Sequence, residues 1–231
     1  MRRTLALVPL ALIAALAAGD SSRAPVLVEL FTSEGCSSCP PADQLLRQLD
    51  SRAVVLGEHV DYWDRLGWRD RFSSPAFTER QQDYGRKFHL DSVYTPEMVV
   101  DGSVEFTGSD ARRASAEIAR AAEKPKAKLH LTRTTSGLDA AVEDSPHSAD
   151  IFLALAEKDA TSQVSKGENS GRELRHISVV RSIRKIGSVK RGGSFQKTVE
   201  LPAESGAQRI ILFVQDGVFG GVFGASVLDM R

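Results

Sequence analysis

The sequence predicts an α/β domain followed by a smaller all-β, sandwich-like domain. Three observations carry this. Strand-like and helical runs alternate as far as Lys124-Pro125. A C-x-x-C pair, Cys36 and Cys39, stands where the first strand-like run meets the first helical one. Beyond Pro125, five strand-like runs follow with no convincing amphipathic helix between them. A length of 231 residues allows one large domain or two modest ones.

The chain starts Met-Arg-Arg-Thr and runs on apolar from Leu5 to Ala18, with Ala15 and Ala17 as small residues before a cleavage point. That pattern predicts a secretory signal peptide over residues 1–17. The run falls short of the roughly 20 residues that span a bilayer. The expected locale is therefore periplasmic or secreted, with no stable membrane span after cleavage. An oxidising compartment lets a thiol pair hold a disulfide.

Ala24–Phe31 reads as a buried strand and Ala53–Val60 as a second. Between them, Leu45, Leu46 and Leu49 share one face of a helix. Ser74 and Pro75 are an N-cap and first-turn pair for a helix through Phe77, Tyr84 and Phe88. Met98–Val100 is a short strand that turns at Asp101-Gly102 into a hairpin. Ser109 or Asp110 caps an Ala-rich helix ending at Lys124-Pro125. The later strand-like runs are Lys128–Thr132, Ile151–Ala156, Leu174–Ile186, Phe195–Leu201 and Arg209–Val214. The expected domains are thus residues 24–125 and 126–231.

Composition excludes several classes. The 30 Lys and Arg balance 30 Asp and Glu, which leaves no global field for a polyanion and argues against a nucleic-acid partner. Two cysteines are too few for a disulfide-dense scaffold or a four-thiolate zinc site. No Gly-rich nucleotide loop, G-x-S-x-G elbow or metalloprotease helix is present.

Cys36-Ser37-Ser38-Cys39 carries the chemistry. At a helix start, free amides and the helix dipole favour a thiolate on Cys36. Two intervening residues bring Cys39 within disulfide reach. An exposed nucleophile with a resolving thiol one turn away suffices for thiol–disulfide exchange. Two other readings stay open: a metal site completed by further ligands, His59 among them, and a permanently closed disulfide. Thr95-Pro96 precedes a strand, where Pro removes a ladder donor and suits a cis peptide. Asp61-Tyr62-Trp63-Asp64-Arg65-Leu66-Gly67-Trp68 follows the second strand. Its rings are either a wall over the thiols or anchors of an insertion. Arg172, Arg175, Arg181, Arg184, Lys185, Lys190, Arg191 and Lys197 face one acid, Glu173. They read as charged edge strands or, functionally, as a surface for an anionic partner. Asn169 and His176 read as turn-related or structural.

S-E-G-C-S-S-C-P-P-A-D, V-D-Y-W-D-R-L-G-W, S-P-A-F-T-E-R-Q and Y-T-P-E-M-V-V-D-G resemble segments of a family of secreted thioredoxin-like proteins of unknown function, as does G-E-N-S-G-R-E-L-R-H-I-S-V-V-R. The resemblance implies a thioredoxin-like fold for the first domain, and catalytic cysteines in Cys36 and Cys39. It implies a substrate contact at Pro96, with Thr95 before it and Trp63 of the aromatic segment as further candidates. Glu29 becomes a candidate proton relay, one residue further from the first cysteine than in thioredoxins. Gly35 replaces their Trp, and Ser37-Ser38 their Gly-Pro. The expected function is thiol–disulfide oxidoreduction, on protein or small-molecule thiols and disulfides, with a further redox partner. The Cys36–Cys39 disulfide would be the redox group, with no other cofactor and no metal. The alternative is a copper-handling or protein-binding module without turnover.

Overall fold

The computed structural model describes residues 25–135, 137–200, 208–217 and 219–230. The signal-peptide expectation lies outside them. Chain order is β1 (Leu27–Thr32), α1 (Pro40–Leu49), β2 (Val54–His59), a short 3-10 turn (Asp64–Leu66), α2 (Pro75–Phe88), β3 (Glu97–Val100), β4 (Val104–Thr107) and α3 (Ala111–Ala122). Then come β5 (Lys128–Thr134), β6 (Gly137–Glu143), β7 (Ala149–Gln163), β8 (Glu173–Val189), β9 (Phe195–Val199), β10 (Arg209–Gln215) and β11 (Val222–Asp229).

Helix boundaries follow local chemistry. Pro40 occupies the first turn of α1, where a missing amide hydrogen costs nothing. The Ser74 side chain accepts from the Ala76 amide at the start of α2, and Asp110 accepts from Arg113 at the start of α3.

The expected α/β thioredoxin-like domain with a separate all-β, sandwich-like domain is corrected by the strand pairing. The protein is mostly β, built on one eight-stranded mixed sheet of order β11-β10-β7-β8-β2-β1-β3-β4, with a second sheet of order β5-β6-β9. Strands from both sides of Pro125 thus share a sheet. The seam is the parallel pairing of β2 with β8 at Gly57 and Val179. Gly57 makes it possible, because a Cβ there would stand 2.9 Å from the Ile177 carbonyl oxygen.

The cores cross the same line. Leu27, Val54, Leu56 and Phe77 pack with Ala154, Ala156, Val180, Ile211 and Phe213. On the opposite face, α1 and α3 cover β1 and β3 through Leu45, Leu46, Leu49 and Ile118, and Ile177 of β8 joins them. The three-stranded sheet buries Leu138, Ala140 and Val142 against Ile151, Leu153, Ile210 and Leu212. The physical cause is visible in β7, β8 and β10. Leu153–Ala156, His176–Val180 and all of β10 are buried at consecutive positions, so these strands are covered on both faces.

The site is set by two ends of this sheet. β1 and β2 run parallel, so both deliver their C-terminal ends to the N-terminus of α1. The turn between β7 and β8 arrives at the same place.

Candidate functional site

Cys36 and Cys39 form a disulfide, with Cα atoms 5.4 Å apart. Both residues are fully buried, whereas Ser37 and Ser38 are exposed. The loop between β1 and α1 folds by local bonds: the Cys36 amide donates to the Ser33 carbonyl and the Gly35 amide to the Ser33 hydroxyl. Cys39 caps α1, accepting from the Ala42 and Asp43 amides.

The remaining cover comes from the turn after β7. The Asn169 side-chain amide donates to the carbonyls of both Glu34 and Cys36, each at 2.9 Å. Glu168 accepts from the Ser37 amide at 3.0 Å. Asn169 is itself held, its side-chain oxygen accepting from Arg172. Gly167 lies against Trp68, and a Cβ there would stand 3.3 Å from the Trp68 Cβ.

Trp63 ties this loop to the Pro96 loop. A Cβ on Gly35 would lie 3.1 Å from the Trp63 Cβ, so the absence of a side chain at Gly35 lets the indole seat there. Its Nε1 donates to the Thr95 hydroxyl at 2.8 Å. The Thr95–Pro96 peptide is cis. The sequence-predicted Cys36, Cys39, Trp63, Thr95 and Pro96 are thereby linked. Glu29 is engaged elsewhere. It is fully buried, accepts from Arg80 and the Tyr84 hydroxyl, both at 2.6 Å, and belongs to a second polar cluster with Glu58 and Gln215. In that cluster burial, reinforced by the Glu29 charge, raises Glu58 well above the usual carboxylate range.

Behind the disulfide loop lies a group that sequence reasoning did not assemble: Glu34, Asp43, His59, Asp70 and His176, all buried. Glu34 accepts from the Trp68 indole at 2.7 Å. His176 stands between two carboxylates, 3.5 Å from Glu34 and 3.7 Å from Asp43, as ion pairs rather than hydrogen bonds. Its ring meets that of His59 edge-on at 4.7 Å, and His59 is bonded to Asp70 at 2.6 Å. Asp70 in turn accepts from the Glu34 amide. Burial pulls His176 down, but Asp43 and Glu34 more than offset it and hold the imidazole up at about 10. Burial likewise works against ionised Asp70, yet His59 and the Glu34 and Phe72 amides hold it down at about 2. Glu34 is lowered too, its burial outweighed by His176 and Trp68. At neutral pH the loop therefore rests on an imidazolium among carboxylates. Among the described residues, no three His, Cys, Asp or Glu side chains are arranged to hold a metal ion.

Glu97, next to Pro96, gives a prediction of its own. It is fully buried, one oxygen accepts from Gln81 at 2.7 Å, and the other has no partner. Burial pushes its carboxyl up to about 7. A carboxyl raised on folding destabilises the fold once pH climbs above its unfolded value, from about 4.5 through about 7. Glu97→Gln keeps an acceptor for Gln81 and removes the buried charge. Urea melts should show the variant gaining on the order of 2 kcal/mol over wild type at pH 8 and nothing at pH 4. Equal gains at both values would contradict a charge effect.

The model of the family described as "Protein of unknown function (DUF1223)" matches residues 27–215. The chain is a DUF1223 protein. A crystal structure of a protein from Agrobacterium tumefaciens is 27% identical, with a TM-score of 0.79 and coverage of 90% of this chain and 96% of that one. HBP35 of Porphyromonas gingivalis is 15% identical, with a TM-score of 0.61 over 90% of this chain and 76% of that one, a likeness of fold alone. No curated protein matches the chain. The family match ends with β10 and includes both the cysteines and the β7–β8 turn, so the DUF1223 unit carries the whole candidate site.

Proposed function

We propose that this DUF1223 protein is an exported thiol–disulfide oxidoreductase working through Cys36 and Cys39. The supporting observation is the five-member ionisable cluster beneath the disulfide loop. Burying that many ionisable groups costs free energy that a four-residue structural staple does not require, and perturbed titrations like those of Glu34, Asp70 and His176 gather at reactive sites.

The described state is the oxidised one. In the reduced protein, the Cys36 thiolate attacks one sulfur of a substrate disulfide. The substrate S–S bond breaks, a Cys36–substrate bond forms, and one substrate thiolate leaves and takes a proton. Cys39 as thiolate then attacks the Cys36 sulfur. The Cys36–Cys39 bond closes and the second substrate thiolate is released. Two electrons pass to the substrate, and a partner dithiol restores the reduced pair; the same steps reversed oxidise a substrate dithiol.

Cys39→Ser tests this by removing the resolving thiol. Incubated with a disulfide-bonded peptide, the variant should accumulate a mixed disulfide through Cys36, visible on a non-reducing gel and absent when Cys36→Ala is added. A pair that stays oxidised in strong reductant, with no trapped adduct, refutes exchange. Stoichiometric copper(I) binding by the reduced protein without any adduct would assign the site to metal handling instead.

A further inference from the structure

A cleft of about 330 Å3 opens between α1, from its first residue, and the start of β8. Pro40, Asp43, Gln44 and Arg47 form one wall, at helical spacing from the residue that follows Cys39. Arg172, Glu173, Leu174 and Arg175 form the other.

Its charges are unequally satisfied. Arg47 is spent on Asp159 at 2.6 Å and on the His176 carbonyl at 2.8 Å. Arg175 pairs with Glu173, which also accepts from Gln163. Asp43 is turned inward, toward His176 and the Thr32 hydroxyl. Arg172 differs: its guanidinium donates to the neutral side-chain oxygen of Asn169 at 2.8 Å and meets no carboxylate among the described residues. It is exposed, oriented by that one bond, and carries an uncompensated positive charge. A guanidinium held by one edge still presents its other donors as a fork for a carboxylate.

The position of Arg172 couples it to the disulfide. The Asn169 that it holds is the residue whose amide bonds the Glu34 and Cys36 carbonyls. An anion bound in this cleft therefore sits within one side chain of the reacting loop.

We infer that the cleft is a carboxylate subsite, which selects exchange partners carrying a carboxylate close to the reacting sulfur. This rests on the exchange reading above. The basic run that opens β8 thereby acquires a role beyond a charged strand edge. Two sources share the chemistry, a free low-molecular-weight thiol acid and an acidic side chain beside a protein cysteine.

The test uses the reduced full-length protein and three small disulfides: 3,3′-dithiodipropionate, bis(2-hydroxyethyl) disulfide and cystamine. Each rate is normalised to that of a free dithiol, which removes intrinsic reactivity. Wild type should prefer the anionic over the neutral substrate about tenfold and the neutral over the cationic. Arg172→Gln should bring the anionic preference near one, Arg172→Lys should restore part of it, and about 0.5 M salt should flatten it. The readout is a ratio within each variant, so a general loss of activity does not imitate the result; Arg175→Gln should lower the ratio less, because that guanidinium is already paired. A stronger Glu-over-Gln preference among disulfide peptides than among the small molecules assigns the source to proteins, and the reverse assigns it to a small thiol. Exchange without charge preference, or a preference untouched by Arg172→Gln, overturns the subsite and leaves exchange standing. Absence of exchange with all three substrates overturns both.

Discussion

Asn169→Ala should speed reduction of the Cys36–Cys39 disulfide by dithiothreitol by about one to two orders of magnitude. The reason is access. A thiolate must approach along the S–S axis, and both cysteines are fully covered. The cover is fastened by the two Asn169 bonds to the Glu34 and Cys36 carbonyls and by the Glu168 bond to the Ser37 amide. Alanine leaves the buried Glu34 carbonyl bare and the Cys36 carbonyl with the Cys39 amide as its remaining donor. Each such loss costs about 1–3 kcal/mol in the closed state. The opened state keeps those carbonyls in water, so the closed-to-open gap narrows by most of that sum. If attack proceeds through the open form, the rate rises by the same factor. Thiol labelling during reduction measures it, and hydrogen exchange at the Ser37 amide reports the opening independently. An unchanged rate would mean that attack reaches the sulfurs without moving the turn. Glu168→Gln, which removes a charge but keeps an acceptor, should change the rate far less.

This turn also marks where sequence reasoning stopped. The elements up to Pro125 were legible because each carries local punctuation: Pro40 and Pro75 in first turns, Asp110 as a cap and Asp101-Gly102 between β3 and β4. The cysteine pair and the loops of Trp63 and Pro96 were legible for the same reason. What failed was the inference from texture to domain. The absence of an intervening helix after Pro125 predicts a separate sandwich, yet sheet membership depends on pairing partners, which no local pattern states. A signal was present. Ile210–Val214 and the Leu153–Ala156 segment are apolar without alternation, as strands covered on both faces are, and that argues for the interior of a large sheet. The contacts of Asn169 and His176 are not legible locally, because their partners, Glu34, Cys36 and Asp43, lie more than 130 residues away in sequence. Glu29 shows how much one position matters. Its place one residue further from Cys36 moves it to the other face of β1, and it spends its charge on Arg80 instead.

His176→Gln should weaken the fold by about 3–5 kcal/mol at pH 6, and most of that difference should vanish by pH 10. The imidazole is 2% exposed and stands between Glu34 and Asp43, with the His59 ring edge-on to it and Phe72 alongside. Asp70 lies behind His59 and keeps its own charge. Removing the imidazolium leaves the carboxylates repelling one another in a dry space, the costly case for a buried ionic group. The pH dependence has a definite sign. Held at about 10 in the folded state against an ordinary value of 6.5, His176 contributes stability that is complete below pH 6.5 and lost as pH rises through 10. Glu34 acts at the other end: lowered on folding, it contributes stability present above its ordinary 4.5 and lost as pH falls through its folded value. Wild type should therefore lose stability on the alkaline side between pH 6.5 and 10, while the glutamine variant should lack that limb. Urea unfolding at pH 6, 8 and 10 decides the matter. Parallel alkaline slopes in the two proteins would show that His176 is neutral in the fold. The disulfide loop would then rest on a hydrogen-bonded core, and the charge-based argument for a reactive site beneath Cys36 and Cys39 would lose its support.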